Sequence, residues 1–182
     1  MTADPAQAIR ELDAIIQSWI STHAHSVSLA STLGNLDSQT RTATTDQLVA
    51  TLRSKHESTI ADLRRTVHQY GSAVKQLDSL HTRLATKPLL QTDAESCEHV
   101  AGITESYAKD VVRNRQTAYA NEYGRRKLLF NALTKDTVSV PEFVVQWVES
   151  KIDYAVEEEY LERLRLVRLA RQWRSNQELS DI

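Results

Sequence analysis

Residues 60–84 read IADLRRTVHQYGSAVKQLDSLHTRL, and this stretch decides the fold class. Eight positions in it are spaced alternately by three and four residues, and seven of the eight are apolar. That spacing is typical of a helix that buries a narrow stripe against another helix, whereas a strand would alternate with a period of two. We call these eight positions the seam: Ile60, Leu63, Val67, Tyr70, Val74, Leu77, His81 and Leu84.

The composition of the whole chain agrees with a helical fold. The 182 residues are 41% hydrophobic and 25% charged, which is typical of a folded protein. There are only four glycines and three prolines, so the chain has few residues that favour turns. We therefore expect an all-α protein with about four helices, arranged as elongated helical hairpins or a coiled coil.

Local signals predict where the helices of the first half begin and end. Asp4-Pro5 reads as an N-cap followed by proline in the first turn, and Gly34-Asn35 is a favourable place for this helix to stop. A second helix is expected from about Asp46 to Thr86, since Lys87-Pro88 breaks the helical pattern. This break predicts an N-terminal hairpin over residues 1–87 and a C-terminal hairpin over residues 88–182.

The second half carries two further start signals. Thr92-Asp93-Ala94-Glu95 has the form of a capping box and predicts a helix that continues to about Leu133. Ser139-Val140-Pro141-Glu142 is the clearest start signal, with Ser139 as the N-cap. It predicts a last helix that runs without interruption to about Trp173.

The last predicted helix is apolar on more than one side, so more than one side must be covered. Arginines crowd its end, and Arg125-Arg126-Lys127 would join them if the last two helices are antiparallel. Three interpretations of these arginines stay open: electrostatics at the helix end together with salt bridges such as Glu159 to Arg163, an acidic protein partner, or nucleic acid. The predicted second interaction surface consists of Leu161, Leu166, Leu169, Trp173, Arg165 and Arg168.

No pattern in the sequence predicts catalysis, a metal or a cofactor. Glycine-rich phosphate loops, nucleophile elbows and CxxC pairs do not occur. His23 and His25 are two residues apart and would point away from each other on a helix. Glu95, Cys97 and His99 form a second small cluster, but no matching pair of ligands accompanies it. We therefore expect a protein that is not an enzyme.

The net charge, the hydropathy and the cysteine content indicate which classes of binding partner and which cellular compartment to expect. A net charge of −2 gives no general attraction to nucleic acid or to an anionic membrane, and no apolar run approaches the roughly 20 residues that a membrane span needs. The N-terminus has no signal-peptide pattern, and the single cysteine favours a reducing intracellular location, cytoplasmic or nuclear.

These observations favour a non-catalytic scaffolding subunit of a larger coiled-coil complex, which binds other subunits through helix–helix packing in a homo- or hetero-oligomer. Kinetochore, cytoskeletal and tethering complexes use subunits of this type, and the comparison is one of analogy only. The alternative is a self-contained helical adaptor that binds a partner helix. A nucleic-acid-binding module that uses the C-terminal arginines is a weaker alternative.

Overall fold

The computed structural model describes residues 4–86 and 97–180, and all regular structure within these ranges is helical. The prediction of an all-α protein is confirmed. Five of the helices have nine residues or more, and α3 is a single turn. In chain order the helices are α1 (Pro5–Thr42), α2 (Asp46–Thr86), α3 (Cys97–Val100), α4 (Glu105–Thr134), α5 (Val140–Val148) and α6 (Ala155–Ser180).

The N-terminal cap and the start of α2 follow the sequence signals. Asp4 Oδ1 accepts a hydrogen bond of 2.9 Å from the Ala6 amide, which satisfies one of the amides that lack a partner at a helix start. The second helix begins at Asp46, as predicted, and is described as far as Thr86. The predicted break at Lys87-Pro88 lies outside the described residues. The starts of α1 and α2 are therefore encoded locally.

The predicted stop at Gly34-Asn35 is wrong, because α1 continues to Thr42. A Cβ atom at position 34 would lie 3.3 Å from Val144 Cγ2 of α5. Gly34 thus allows α5 to approach α1 closely, and tertiary packing rather than a helix cap accounts for this glycine.

The helix predicted to run from Thr92 to about Leu133 is interrupted. Gly102 has φ +69°, a left-handed conformation that separates α3 from α4. A new start follows at once, since Thr104 Oγ1 accepts from the Tyr107 amide at 3.2 Å. The proposed capping box at residues 92–95 lies outside the described residues.

The last predicted helix is likewise divided, into α5 and α6. Its start is confirmed, because Ser139 Oγ accepts from the Glu142 amide at 3.4 Å. Its early end was not predicted and has a tertiary cause. The Arg125 guanidinium donates to the carbonyls of Gln146 and Glu149 at 2.9 and 2.6 Å and caps the end of α5.

The chain packs into two compact units that do not follow the predicted division at residue 87. Unit 1 contains the described residues of Met1–Ile15, Gln76–Thr117 and Asp153–Ile182, and unit 2 contains Ile16–Lys75 and Ala118–Ile152. Each unit combines residues from both predicted hairpins. The reason is that helices from the two halves bury their apolar faces against each other inside each unit.

The core of unit 2 is built on aromatic residues. The Trp19 ring lies 4.3 Å from the Tyr70 ring and 4.9 Å from the Tyr119 ring, measured between centroids. Phe143 stacks on Trp147 at 5.0 Å. Such ring pairs contribute roughly 0.5–1.5 kcal/mol each beyond the apolar area that they bury.

The core of unit 1 combines apolar packing with buried polar contacts. The side chains of Arg115 and Glu157 form an ion pair of 3.2 Å, and both are almost fully buried. The same guanidinium donates to the Asp153 carbonyl at 2.8 Å, immediately before α6. Arg115 therefore fixes the start of α6 against α4.

Candidate interaction surface

The seam of α2 is buried by this chain itself. Six of its eight side chains are at most 9% exposed, and Ile60 and His81 are half-buried. The assignment of the seam as a partner-binding surface is therefore corrected, because these side chains already pack within the chain. The six buried residues are Leu63, Val67, Tyr70, Val74, Leu77 and Leu84.

The surface of α6 differs, because this helix has one buried and one exposed apolar face. Tyr160 and Val167 point inward and are at most 2% exposed. On the opposite face Leu166, Leu169 and Trp173 are 46%, 60% and 65% exposed. Their spacing of three and four residues places them in one row, which we call the α6 stripe.

A groove lies on another side of α6, within unit 1. Its volume is about 450 Å³, and it combines apolar and basic side chains. The half-buried Leu161 belongs to this groove and not to the α6 stripe. The lining residues are Arg10, Asp13, Leu161, Leu164, Arg165, Val167, Arg168, Arg171 and Gln172.

The arginines of α6 have different roles. Arg163 is used inside unit 1, where it stacks 4.2 Å from the centroid of the Tyr107 ring and donates to the Gly102 carbonyl at 3.0 Å. Arg165 and Arg168 are exposed, and Arg165 also contacts Glu162 at 3.3 Å. Both lie beside the α6 stripe.

Salt bridges to Glu159 and Glu162 occupy Arg163 and Arg165, but the helix dipole does not account for the position of the exposed arginines. The helix dipole acts within the last turn, and Arg165 and Arg168 lie more than two turns before the end of α6 at Ser180. Residues 163–176 contain five arginines and no acidic residue. This segment is therefore a local basic surface on a chain whose net charge is −2.

The two arginines of Arg125-Arg126-Lys127 are engaged inside unit 2. The Arg126 side chain is completely buried, and Arg125 is largely used to cap α5. Lys127 is the exposed member of the three. The two arginines serve the internal packing of unit 2.

Arg126 is the centre of a buried polar cluster. Its guanidinium carbon lies 5.2 Å from the centroid of the Tyr70 ring and 5.1 Å from that of Trp147. Its Nε donates to Glu122 at 2.7 Å, and its Nη1 donates to the Trp147 carbonyl at 3.2 Å. Ser26 Oγ accepts from Trp147 Nε1 at 3.1 Å and shares a hydrogen bond of 2.8 Å with Tyr70.

The charge state of this cluster follows from its contacts. Burial disfavours the ionised Glu122 carboxylate, but the hydrogen bond from Arg125 and the charge of Arg126 outweigh it, so the pKa of Glu122 lies below its ordinary value. Sequence reasoning missed this cluster. The available signal was the spacing of four residues between Glu122 and Arg126, which places both on one helix face.

Metal binding and membrane insertion are two further functional possibilities. Within residues 4–86 and 97–180, no three His, Cys, Asp or Glu side chains lie together as metal ligands do. His23 is half-buried, His25 is exposed and Cys97 is buried. None of the described helices combines the length and the apolar character needed to cross a membrane.

Comparison of the chain with protein-family models, curated proteins and solved structures finds no significant match. Its functional assignment therefore rests on the geometry and charge of its own residues.

Proposed function

We propose that this chain is a non-catalytic docking subunit of a larger protein assembly, and that it binds a helix of another protein through the C-terminal half of α6. The two helices would pair side by side, as in a coiled coil. An intracellular location, cytoplasmic or nuclear, is part of the proposal and rests on the single cysteine.

The α6 stripe is the observation that supports this proposal. Leu166, Leu169 and Trp173 form one exposed apolar row on the face opposite Tyr160 and Val167. Leu128 and Val145 are also strongly exposed. The two arginines that precede Leu128 are engaged inside unit 2, and the segment around Val145 contains no arginine. Apolar rows with a charged border are typical of surfaces that pack against another protein.

The buried seam favours one form of this function. Because Leu63, Tyr70 and Leu77 are covered within a single chain, the folded protein needs no partner to bury α2. The chain is then a self-contained adaptor that offers α6 to the assembly. An obligate coiled-coil partner for α2 is no longer required.

The test compares the size of the assembly in cells that naturally express the protein. The tagged chain should elute from a sizing column well above its own mass of 20.6 kDa. The variant Leu169→Ser/Trp173→Ser should elute as the free chain, because it removes the two most exposed side chains of the stripe.

Leu48→Ser is the matched control, since Leu48 on α2 is 46% exposed, as is Leu166. This variant should remain in the large fraction. The proposal is wrong if the unmodified chain elutes as a monomer in the cell extract, or if Leu48→Ser releases it equally well.

A further inference from the structure

We infer that the occupant of the α6 stripe is an acidic amphipathic helix of another protein, with apolar residues along one face and carboxylates beside them. This inference rests on the proposed docking function and specifies the partner. The observation that supports it is the positive charge of the arginines beside the α6 stripe.

Arg165 and Arg168 immediately precede Leu166 and Leu169 in the chain. At 100° per residue they lie along one border of the exposed apolar row, between the row and the groove. A helix that packs on the stripe would place its own bordering side chains within reach of these two guanidiniums. Acidic residues at that border would complement them.

The kind of cation also favours carboxylates. All five basic residues between positions 163 and 176 are arginine and none is lysine. The planar guanidinium presents a fork of donors that matches a carboxylate in two parallel hydrogen bonds, which the point charge of a lysine does not. This choice is typical of protein interfaces.

An anionic membrane fits this surface less well. The exposed face of α6 continues toward the N-terminus with Glu158, Glu159 and Glu162. The side chains of Glu159 and Glu162 are 54% and 61% exposed. A negative lipid surface that met the stripe would also meet these carboxylates, which it repels.

A second copy of this chain is disfavoured by its own arginines. Two α6 stripes packed on each other would bring together two copies of residues 163–176, each with five arginines and no acidic residue. Like charges at such a border destabilise helix pairing, so the stripe is better covered by a different, acidic helix.

The experiment titrates the purified full chain with synthetic helices. The first peptide has roughly 21 residues, or six turns, with leucine along one face at alternating spacings of three and four and glutamate beside the leucines of its two central turns only. The second is identical except that lysine replaces glutamate. Quenching of tryptophan fluorescence by acrylamide reports occupancy of the stripe, because Trp173 is 65% exposed whereas Trp19 and Trp147 are at most 1% exposed.

The acidic peptide should bind and protect Trp173 from the quencher, and the lysine peptide should bind about tenfold more weakly or not at all. Arg165→Glu/Arg168→Glu should reverse this preference without changing the stripe. Arg53→Glu/Lys55→Glu, which reverses two exposed charges on α2, should leave it unchanged. Helical content measured by circular dichroism confirms that each variant is folded.

Several outcomes would overturn the inference. These are equal binding of the two peptides, tighter binding to vesicles that contain phosphatidylserine than to the acidic peptide, and a dimer of the chain that Leu169→Ser abolishes. Equal binding of the two peptides leaves the proposed function intact. That function fails if the native chain is monomeric in cell extract, if the stripe variant remains assembled there, or if Leu48→Ser releases the chain equally well.

Discussion

Asp136 adopts a backbone conformation that glycine normally supplies. Its φ is +55°, and it follows the end of α4. The Thr137 amide donates to the Ala132 carbonyl at 2.9 Å, and the Asp136 amide donates to the Leu133 carbonyl at 3.1 Å. This pair of bonds is the Schellman motif, in which the left-handed residue is most often glycine.

Replacing this aspartate with glycine should therefore stabilise the protein. We expect Asp136→Gly to raise the free energy of unfolding by about 1 kcal/mol, because glycine adopts positive φ without the clash of a Cβ atom. Urea denaturation measures the change. Asp136→Ala keeps the Cβ and removes the carboxylate, so it should not stabilise; a gain with alanine as large as with glycine would contradict this explanation.

Arg126 provides a prediction about buried charge. Arg126→Met should lower the free energy of unfolding by about 3 kcal/mol, because it leaves the buried Glu122 with one cation fewer and removes the bond to the Trp147 carbonyl. Arg65→Met is the surface control. Arg65 is 75% exposed and paired with Asp62, so its loss should cost less than about 1 kcal/mol. Equal losses of stability for the two variants in thermal melts would refute the assignment of Arg126 to a buried charge cluster.

The surroundings of His23 predict that the free energy of unfolding decreases in acid. Burial of its imidazole, followed by the charge of Arg126, lowers the pKa of His23 from its usual 6.5. The unfolded chain therefore binds the proton more readily than the folded one. Stability from this group is complete above pH 6.5 and decreases as the pH falls through 6.5 toward the lower pKa of the folded state.

His23→Gln should accordingly flatten the loss of stability between about pH 7 and pH 5, measured by urea denaturation at each pH. The exposed His25→Gln is the control, and its profile should follow that of the unmodified chain. If the profile of His23→Gln is as steep as that of the unmodified protein, another group is responsible.

At the scale of the helix, the surroundings of two glycines predict opposite effects of an alanine substitution on stability. Gly71 in α2 faces Tyr123, and a Cβ atom there would lie 2.9 Å from the tyrosine hydroxyl and 3.1 Å from its Cζ. At Gly124 in α4 a Cβ atom would meet nothing within 4 Å. Gly71 thus permits a close approach of two helices, whereas Gly124 has no packing role of this kind.

Gly124→Ala should stabilise the protein by about 1 kcal/mol, the difference in helix propensity between the two residues. Gly71→Ala should lose this gain, because the tyrosine must move to accept the methyl group. Chemical denaturation of both variants measures the difference. Equal stabilisation would show that Tyr123 does not constrain position 71.

The contacts at the end of α5 explain why the sequence does not predict this helix break. The seam spacing in α2 and the Ser139 cap are local signals, and both were read correctly from the sequence. The end of α5 depends on Arg125, which is more than 20 residues away from the carbonyls that it caps. Such a cap has no local pattern, so a continuous last helix was the natural but incorrect expectation.

For the whole molecule, the buried seam changes the expected behaviour of the isolated chain. Because Leu63 and Leu77 are covered internally, the purified protein should be a monomer in light scattering at moderate concentration. Removal of the α6 stripe should not alter this state. A purified chain that is already a stable dimer would return the seam, or the stripe, to the role of a self-association surface.

The sequence by itself determined the helical class, the start of α2, two N-caps and the presence of a second apolar side on the last helix. These features depend on residues within one or two turns of each other, so periodicity and capping chemistry reveal them. Of the predicted second surface, Leu166, Leu169 and Trp173 are exposed and Leu161 lines the groove, and the role of this surface in binding a partner stays a proposal.

Only the tertiary structure decided which apolar faces are covered. The spacing of the seam residues is the same whether they pack against their own chain or against another protein, as Leu63, Val67 and Tyr70 illustrate. Periodicity shows that a helix face is buried, but it does not show which chain buries it. Arg126 illustrates the same limit for charge. Its burial between Tyr70 and Trp147 depends on three separate helices, and no local pattern distinguishes it from the exposed Lys127 beside it.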